Sequence, residues 1–182
     1  MGTIKVHEFV SLDGVFEDPS WTFEYGFDPK MGEAIGAIMS SSAAILLGRK
    51  TYEQFASAWA GRSAADDPGA PFMNDTPKYV VSSRQLSPEW KSSSALGGYS
   101  SATIRELKER VDGGIYVSGS GTLVRAMLSD GLVDELHLFV YPVSLGQGRR
   151  LLGDDPRTTK FVLANCASFT SGVVYLNYQA AE

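Results

Sequence analysis

Ala43-Ala44-Ile45-Leu46-Leu47 is an unbroken apolar run, bounded by Ser40-Ser41-Ser42 on one side and Gly48 on the other. A run this short and this uniformly apolar fits a strand covered on both faces. Such a strand needs helices on each side of its sheet, so the chain reads as α/β with mostly parallel pairing. The remaining pattern agrees. Ile4 to Leu12 alternates, with Ile4, Val6, Val10 and Leu12 on one parity, and ends at the turn signal Asp13-Gly14. Further strands are expected at 78–83, 114–117 and 136–143, the last being the longest. Helices are expected at 29–40, 51–59, 101–111 and 122–129, and two closing segments, 160–164 and 173–178, read as an antiparallel C-terminal hairpin. Residues 17–30 and 60–77 hold the Pro, Gly and Asp clusters of loops, the second being the most mobile segment. A chain of 182 residues, 43% hydrophobic, buries one sizeable core, so 1–182 reads as a single domain.

The net charge of -5 leaves no overall basic field for nucleic acid or an anionic membrane, and no apolar run is long enough to span a bilayer. The expected partner is therefore a small molecule. Cys166 is the only cysteine, which excludes an intramolecular disulfide or a multi-cysteine metal cluster and reads as a buried small hydrophobe. His7 and His137 lie within strands without a second ligand at metal-binding spacing, so no metal is expected. The first residues lack the basic, apolar and small-residue pattern of a secretory signal, and a cytoplasmic protein is expected.

In sheets of this kind ligands collect at the carboxyl ends of strands. Three such ends carry distinctive residues: Gly48-Arg49-Lys50-Thr51, Ser82-Ser83-Arg84, and Gly119-Ser120-Gly121-Thr122 after Val117. The last combines small residues with a helix start, which suits a pyrophosphate, although it is equally a tight turn and lacks the third glycine of the Rossmann fingerprint. Arg49 and Lys50 at a helix start are unfavourable unless an anion compensates, and Arg84 offers a guanidinium fork beside two hydroxyls. Taken singly, each cluster is also a plausible solvated surface. Their recurrence at consecutive strand ends of an acidic protein points to one extended phosphorylated ligand. Asp13 serves as a turn former or relays a proton, Glu33 lies early in a helix where the dipole favours acids, and Trp21 and Phe55 are candidates to line an aromatic pocket.

Taken in order, 9–14, 47–53, 80–84, 117–123 and 133–151 resemble the dihydrofolate reductase superfamily, in particular the reductase domain of the riboflavin-biosynthesis deaminase-reductase. The resemblance implies a dihydrofolate reductase-like fold and an NADPH-dependent oxidoreductase acting on a pterin-like, aminopyrimidine-like or sugar-derived substrate. It places Arg49, Lys50, Thr51, Ser82, Ser83 and Arg84 around the adenosine 2′-phosphate and ribose, with Gly48 and Val117 in the same motifs. Gly119, Ser120, Gly121 and Thr122 would hold the pyrophosphate, Phe9 would lie beside the nicotinamide, Trp21 and Phe55 would wall the substrate, and Asp13 or Glu33 would direct a proton. A homodimer is implied as well, with 136–143 contributing. The competing reading is a non-catalytic nucleotide- or pterin-binding protein that keeps the cofactor cleft.

Overall fold

The computed structural model describes residues 1–153 and 159–181. Its elements run β1 (Thr3–Ser11), a 3-10 helix (Pro19–Tyr25), α1 (Pro29–Ser40), β2 (Ser42–Gly48), α2 (Arg49–Trp59), α3 (Ala70–Asp75), β3 (Lys78–Val81), β4 (Ser93–Gly97), α4 (Ser101–Arg110), β5 (Gly114–Val117), α5 (Gly121–Ser129), β6 (Glu135–Tyr141), β7 (Phe161–Ser168) and β8 (Val174–Ala180). The strands form one sheet in the order β4-β3-β2-β5-β1-β6-β8-β7. From β4 through β6 every pairing is parallel, and β8 and β7 add antiparallel at one side.

The apolar run of β2 is buried on both faces, as its composition requires. Ala44 and Leu46 point into a layer shared with Ile104, Leu107, Leu123 and Val124 of α4 and α5. Ile45 and Leu47 point into the opposite layer with Met31, Ile38, Tyr52 and Met73 of α1, α2 and α3. Because β3, β2, β5 and β1 are adjacent and parallel, their carboxyl ends line one rim of the sheet.

Several expectations are corrected. The segment 60–77 holds α3, which starts with Pro71 in its first turn, where a proline's missing N–H costs nothing. That segment is also tied down: Asn74 Nδ2 donates to the carbonyls of Trp59 and Arg62, both at 3.0 Å, and its Oδ1 accepts from Trp90 Nε1 at 2.7 Å. The fully buried Lys78 ammonium donates to the carbonyls of Met73, Asn74 and Thr76 at 2.9, 3.0 and 2.9 Å, satisfying the end of α3. The loop 17–30 contains the 3-10 helix, and β4, rich in serine, had no apolar pattern to betray it. β1, with nine residues, is longer than the seven-residue β6, which stops before Pro142, a residue with no N–H for the ladder. Cys166 is exposed rather than buried, because β7 is the outer strand of the antiparallel addition and nearly all its residues face solvent. β6 is paired on both sides, by β1 and β8, so it offers no free edge to a second subunit.

Candidate functional site

Two of the three expected strand ends meet directly. The Gly48 N–H donates to the Gly119 carbonyl at 3.3 Å, and a Cβ on Gly119 would lie 2.9 Å from Thr51 Oγ1. Helix α2 therefore begins against the turn that begins α5. Neither helix start receives a side-chain cap. The amides of both first turns lack intrahelical partners, and the two positive dipole ends converge on one place. The third end is next in the sheet: Gly48 is level with Val81, and Ser82-Ser83-Arg84 follows it. There the Ser82 hydroxyl accepts from the Arg84 N–H at 3.1 Å and donates to the Arg84 carbonyl at 2.9 Å, fixing the turn while Ser83 and Arg84 stay exposed. Lys50 is exposed as well. Arg49 donates to Glu53 at 2.6 Å one turn along α2, so the chain itself supplies a compensating anion that the motif reading overlooked.

Asp13 is heavily engaged. Its carboxylate accepts from Ser11 Oγ at 2.6 Å, Leu145 N at 3.1 Å and Gly146 N at 2.8 Å, with Arg150 Nη2 3.7 Å away. The Ser11 hydroxyl, helped by the two amides, holds its pKa down at about 2. A carboxylate so bound is a poor proton donor near neutral pH and a good latch between the turn after β1 and the segment after β6. Val15 and Arg150 extend that latch as an antiparallel bridge. Glu33 is exposed in the second turn of α1, beyond the reach of the helix start that was expected to favour it. The acid at that start is Asp28, whose side chain caps the Lys30 N–H at 2.9 Å and accepts from Thr170 Oγ1 at 2.7 Å. The Thr170 hydroxyl, with the Lys30 amide, lowers its pKa.

On the α1 side of β1, Phe9 packs edge-on against Tyr141 with ring centroids 5.7 Å apart. Trp21 and Tyr25 meet the same tyrosine at 5.4 and 5.5 Å, and Phe55 is half-buried in the same layer. Trp21 Nε1 is buried there without a partner. Tyr141, which spacing did not single out, thus joins Phe9, Trp21 and Tyr25, while Phe55 packs elsewhere against the same cluster. Below Phe9, His7 Nδ1 pairs with the Tyr116 hydroxyl at 2.7 Å, and burial, then the nearby His137, drives the His7 pKa down to about 3. The histidines are structural partners of tyrosines: His137 makes the matching 2.7 Å bond to Tyr175. Among the described residues, no group of three His, Cys, Asp or Glu is placed to hold a metal ion, and no helix is long and apolar enough to cross a membrane.

With this geometry in place, comparison with known proteins is decisive for the family. The model of the RibD C-terminal domain matches residues 3–175. The chain belongs to the RibD C-terminal domain family. It is 26% identical over 172 residues to the uncharacterized protein YyaP of Bacillus subtilis strain 168, covering 93% of this chain and 90% of that one. Among solved structures it is similar to a protein of Shewanella sp. PV-4 ascribed to riboflavin biosynthesis, with TM-score 0.81 and 19% identity over the whole of both chains. It is also similar to the dihydrofolate reductase of Enterococcus faecalis, complexed there with NADP(H) and RAB-propyl, with TM-score 0.65, 13% identity, and coverage of 100% and 98%. The fold is that of dihydrofolate reductase, and the RibD C-terminal domain family supports a reductase-type function.

Proposed function

We propose that this member of the RibD C-terminal domain family is an NADPH-dependent reductase that passes a hydride to a C=N or C=O bond of a small pterin-like, aminopyrimidine-like or sugar-derived substrate. The carrying observation is the convergence of two uncapped helix starts, α2 and α5, at a rim whose next strand end bears Arg84. The glycines bring the two helix starts close together, since a Cβ at Gly48, Gly119 or Gly121 would run into the Ser120, Thr51 or Phe16 side chain, and the exposed Thr122 opens the start of α5 to a dinucleotide phosphate. In this reading the amides of Gly121 and Thr122 take the pyrophosphate. Arg49, Lys50 and Arg84, with Thr51, Ser82 and Ser83, take the adenosine 2′-phosphate and its ribose. When bound, the nicotinamide supplies the hydride. Phe9 and its backbone orient it, Trp21 and Phe55 exclude water from the substrate, and Asp13 keeps the turn after β1 in register. Glu33 makes no hydrogen bond or ion pair among the described residues, so it is the acid left to direct a proton through water.

Arg49→Ala and Arg84→Ala are each expected to weaken NADPH about 10- to 100-fold while NADH changes little, the scale of one lost charge-assisted contact. Equal losses for both cofactors in a fluorescence titration would sink the 2′-phosphate assignment. A second reading, binding without turnover, is favoured by the engagement of Asp13 and the exposure of Glu33. Substrate-dependent oxidation of NADPH in a screen of pterins, aminopyrimidines and aldoses decides between the two.

We also infer a homodimer, formed at the outer strand β7, where Val162 and Leu163 are 58% and 48% exposed. Exposed apolar edges of this kind are normally covered. Light scattering is expected to give twice the 19.6 kDa chain mass, and Leu163→Lys to return the monomer. A monomeric wild type would overturn this inference.

A further inference from the structure

Glu8 is the one ionisable residue on a parity of β1 otherwise made of Ile4, Val6 and Val10, all within the α4 and α5 core layer. It is 8% exposed, and its Oε1 is buried with no hydrogen-bond partner. Its position in the sheet is informative. The β1–β5 pairing ends with Val6 level with Val117, the last residue of β5, and two residues further along each chain stand Glu8 and Gly119, the latter in the turn before α5. On the other side Glu8 is level with Leu138, which is apolar and buried. An unpaired carboxyl oxygen therefore lies in the sheet beside the turn that starts α5. Burying an unpaired carboxylate is costly, whereas a protonated carboxyl beside an anion has a use for its proton.

We propose that Glu8 meets the bound cofactor as a neutral carboxylic acid, donating its proton in a hydrogen bond to an oxygen of the pyrophosphate seated on Gly119–Thr122. This rests on the NADPH reading above and adds to it a group that the glycine-rich turn does not contain. Burial in an apolar layer already raises the Glu8 pKa to about 8 before any ligand arrives. The surrounding ionisable groups are few. Tyr116 on β5 feels the Glu8 charge, and burial pushes its own phenol upward, out of the way. From the helices of this layer, Lys108 of α4 is paired with Asp134 at 2.6 Å, and Arg125 of α5 is half-buried. Arg105, Glu106, Glu109 and Arg110 of α4 are exposed. Beyond β1, Arg150 is bound to the Asp13 carbonyl at 2.9 Å.

If the proton is required, loss of it must weaken binding, and the linkage has a fixed sign. Above about pH 8 the dissociation constant for NADPH is expected to rise by about tenfold per pH unit in the wild type, with uptake of one proton on binding. Glu8→Gln keeps an N–H donor and the shape but cannot ionise, so its affinity, whatever its level near neutrality, should stay flat as pH rises. The ligand does not confuse the result, because a phosphate monoester with a second pKa near 6 is already dianionic in this range. Parallel pH profiles for the two proteins, or a flat wild-type profile, would overturn the role of Glu8 while leaving NADPH binding intact. Failure of the wild type to bind NADPH even at about pH 6.5 would remove the cofactor reading itself, and this proposal with it. Should Glu8→Gln fold poorly, the infrared carbonyl band of a protonated carboxyl in the wild type provides the second measurement. It is expected to be present at neutral pH and to shift when NADPH is added, and a band that does not move overturns the proposal.

Discussion

Glu8→Gln is expected to abolish most of a loss of stability that the wild type suffers between about pH 6.5 and about pH 8, measured by urea unfolding across that range. In the folded protein burial lifts the Glu8 pKa from 4.5 to about 8. Between those values the unfolded chain has released the proton and the folded chain still holds it. The folded state therefore binds more protons, and stability must fall as pH rises through the window. The gap is worth up to roughly 5 kcal/mol, a large part of the 5–15 kcal/mol typical of a domain. Its neighbour in sequence acts with the opposite sign. His7 is neutral in the fold down to about pH 3 but would protonate near 6.5 when unfolded, so its contribution falls as the solution is acidified through that range. Where the windows overlap, from 4.5 to 6.5, the slopes oppose each other and the wild type should be nearly level. Glu8→Gln should lose the alkaline decline and keep the acid one. An alkaline decline that persists unchanged in the variant would mean that another group causes it.

That one strand holds both residues explains why the sequence was readable in some respects and silent in others. Period-two alternation placed Ile4, Val6 and Val10 in the core, although it also counted Leu12, which lies past the end of β1 and is 67% exposed, and the unbroken apolar run placed β2 in the middle of the sheet. The same alternation puts Glu8 in the core, and an acid on the apolar parity was the available signal that something unusual sits there. The strand-end motifs were legible because each is contiguous in the chain. What joins them was not. The latch from Asp13 to Leu145 and Gly146 spans more than 130 positions, and nothing local distinguishes it from an ordinary turn aspartate. β4 was missed for a related reason: its register comes from pairing with β3, and a serine-rich outer strand needs no apolar face of its own. Tyr141 joined the aromatic wall through contacts with Phe9, Trp21 and Tyr25, all far away in sequence.

Gly48→Ala is the substitution expected to damage the site most for its size. The reason is not backbone freedom, since Gly48 has φ -77° and ψ 153°, values open to any residue. It is proximity: a Cβ at this position would lie 2.9 Å from Ser120 Cβ and 3.0 Å from its backbone nitrogen, and closer still to Ser120 Oγ. The hydroxyl could rotate away, but the backbone nitrogen belongs to the turn that starts α5 and cannot yield without moving that helix start away from α2. The overpacking should cost about 1–3 kcal/mol of stability. Binding should suffer more than stability, because the proposed phosphate site depends on both helix starts facing one point. Loss of one or two charge-assisted hydrogen bonds at about 1.5–3 kcal/mol each predicts at least a tenfold weaker NADPH dissociation constant. Gly36→Ala is the matched control, for Gly36 lies within α1 with open space around its Cβ position, and the change should stabilise the helix by about 0.5–1 kcal/mol. Calorimetric titration of the two variants separates a steric role at the rim from a general intolerance of glycine replacement. Unchanged NADPH affinity in a folded Gly48→Ala protein would mean that the junction of α2 and α5 is not where the phosphates bind.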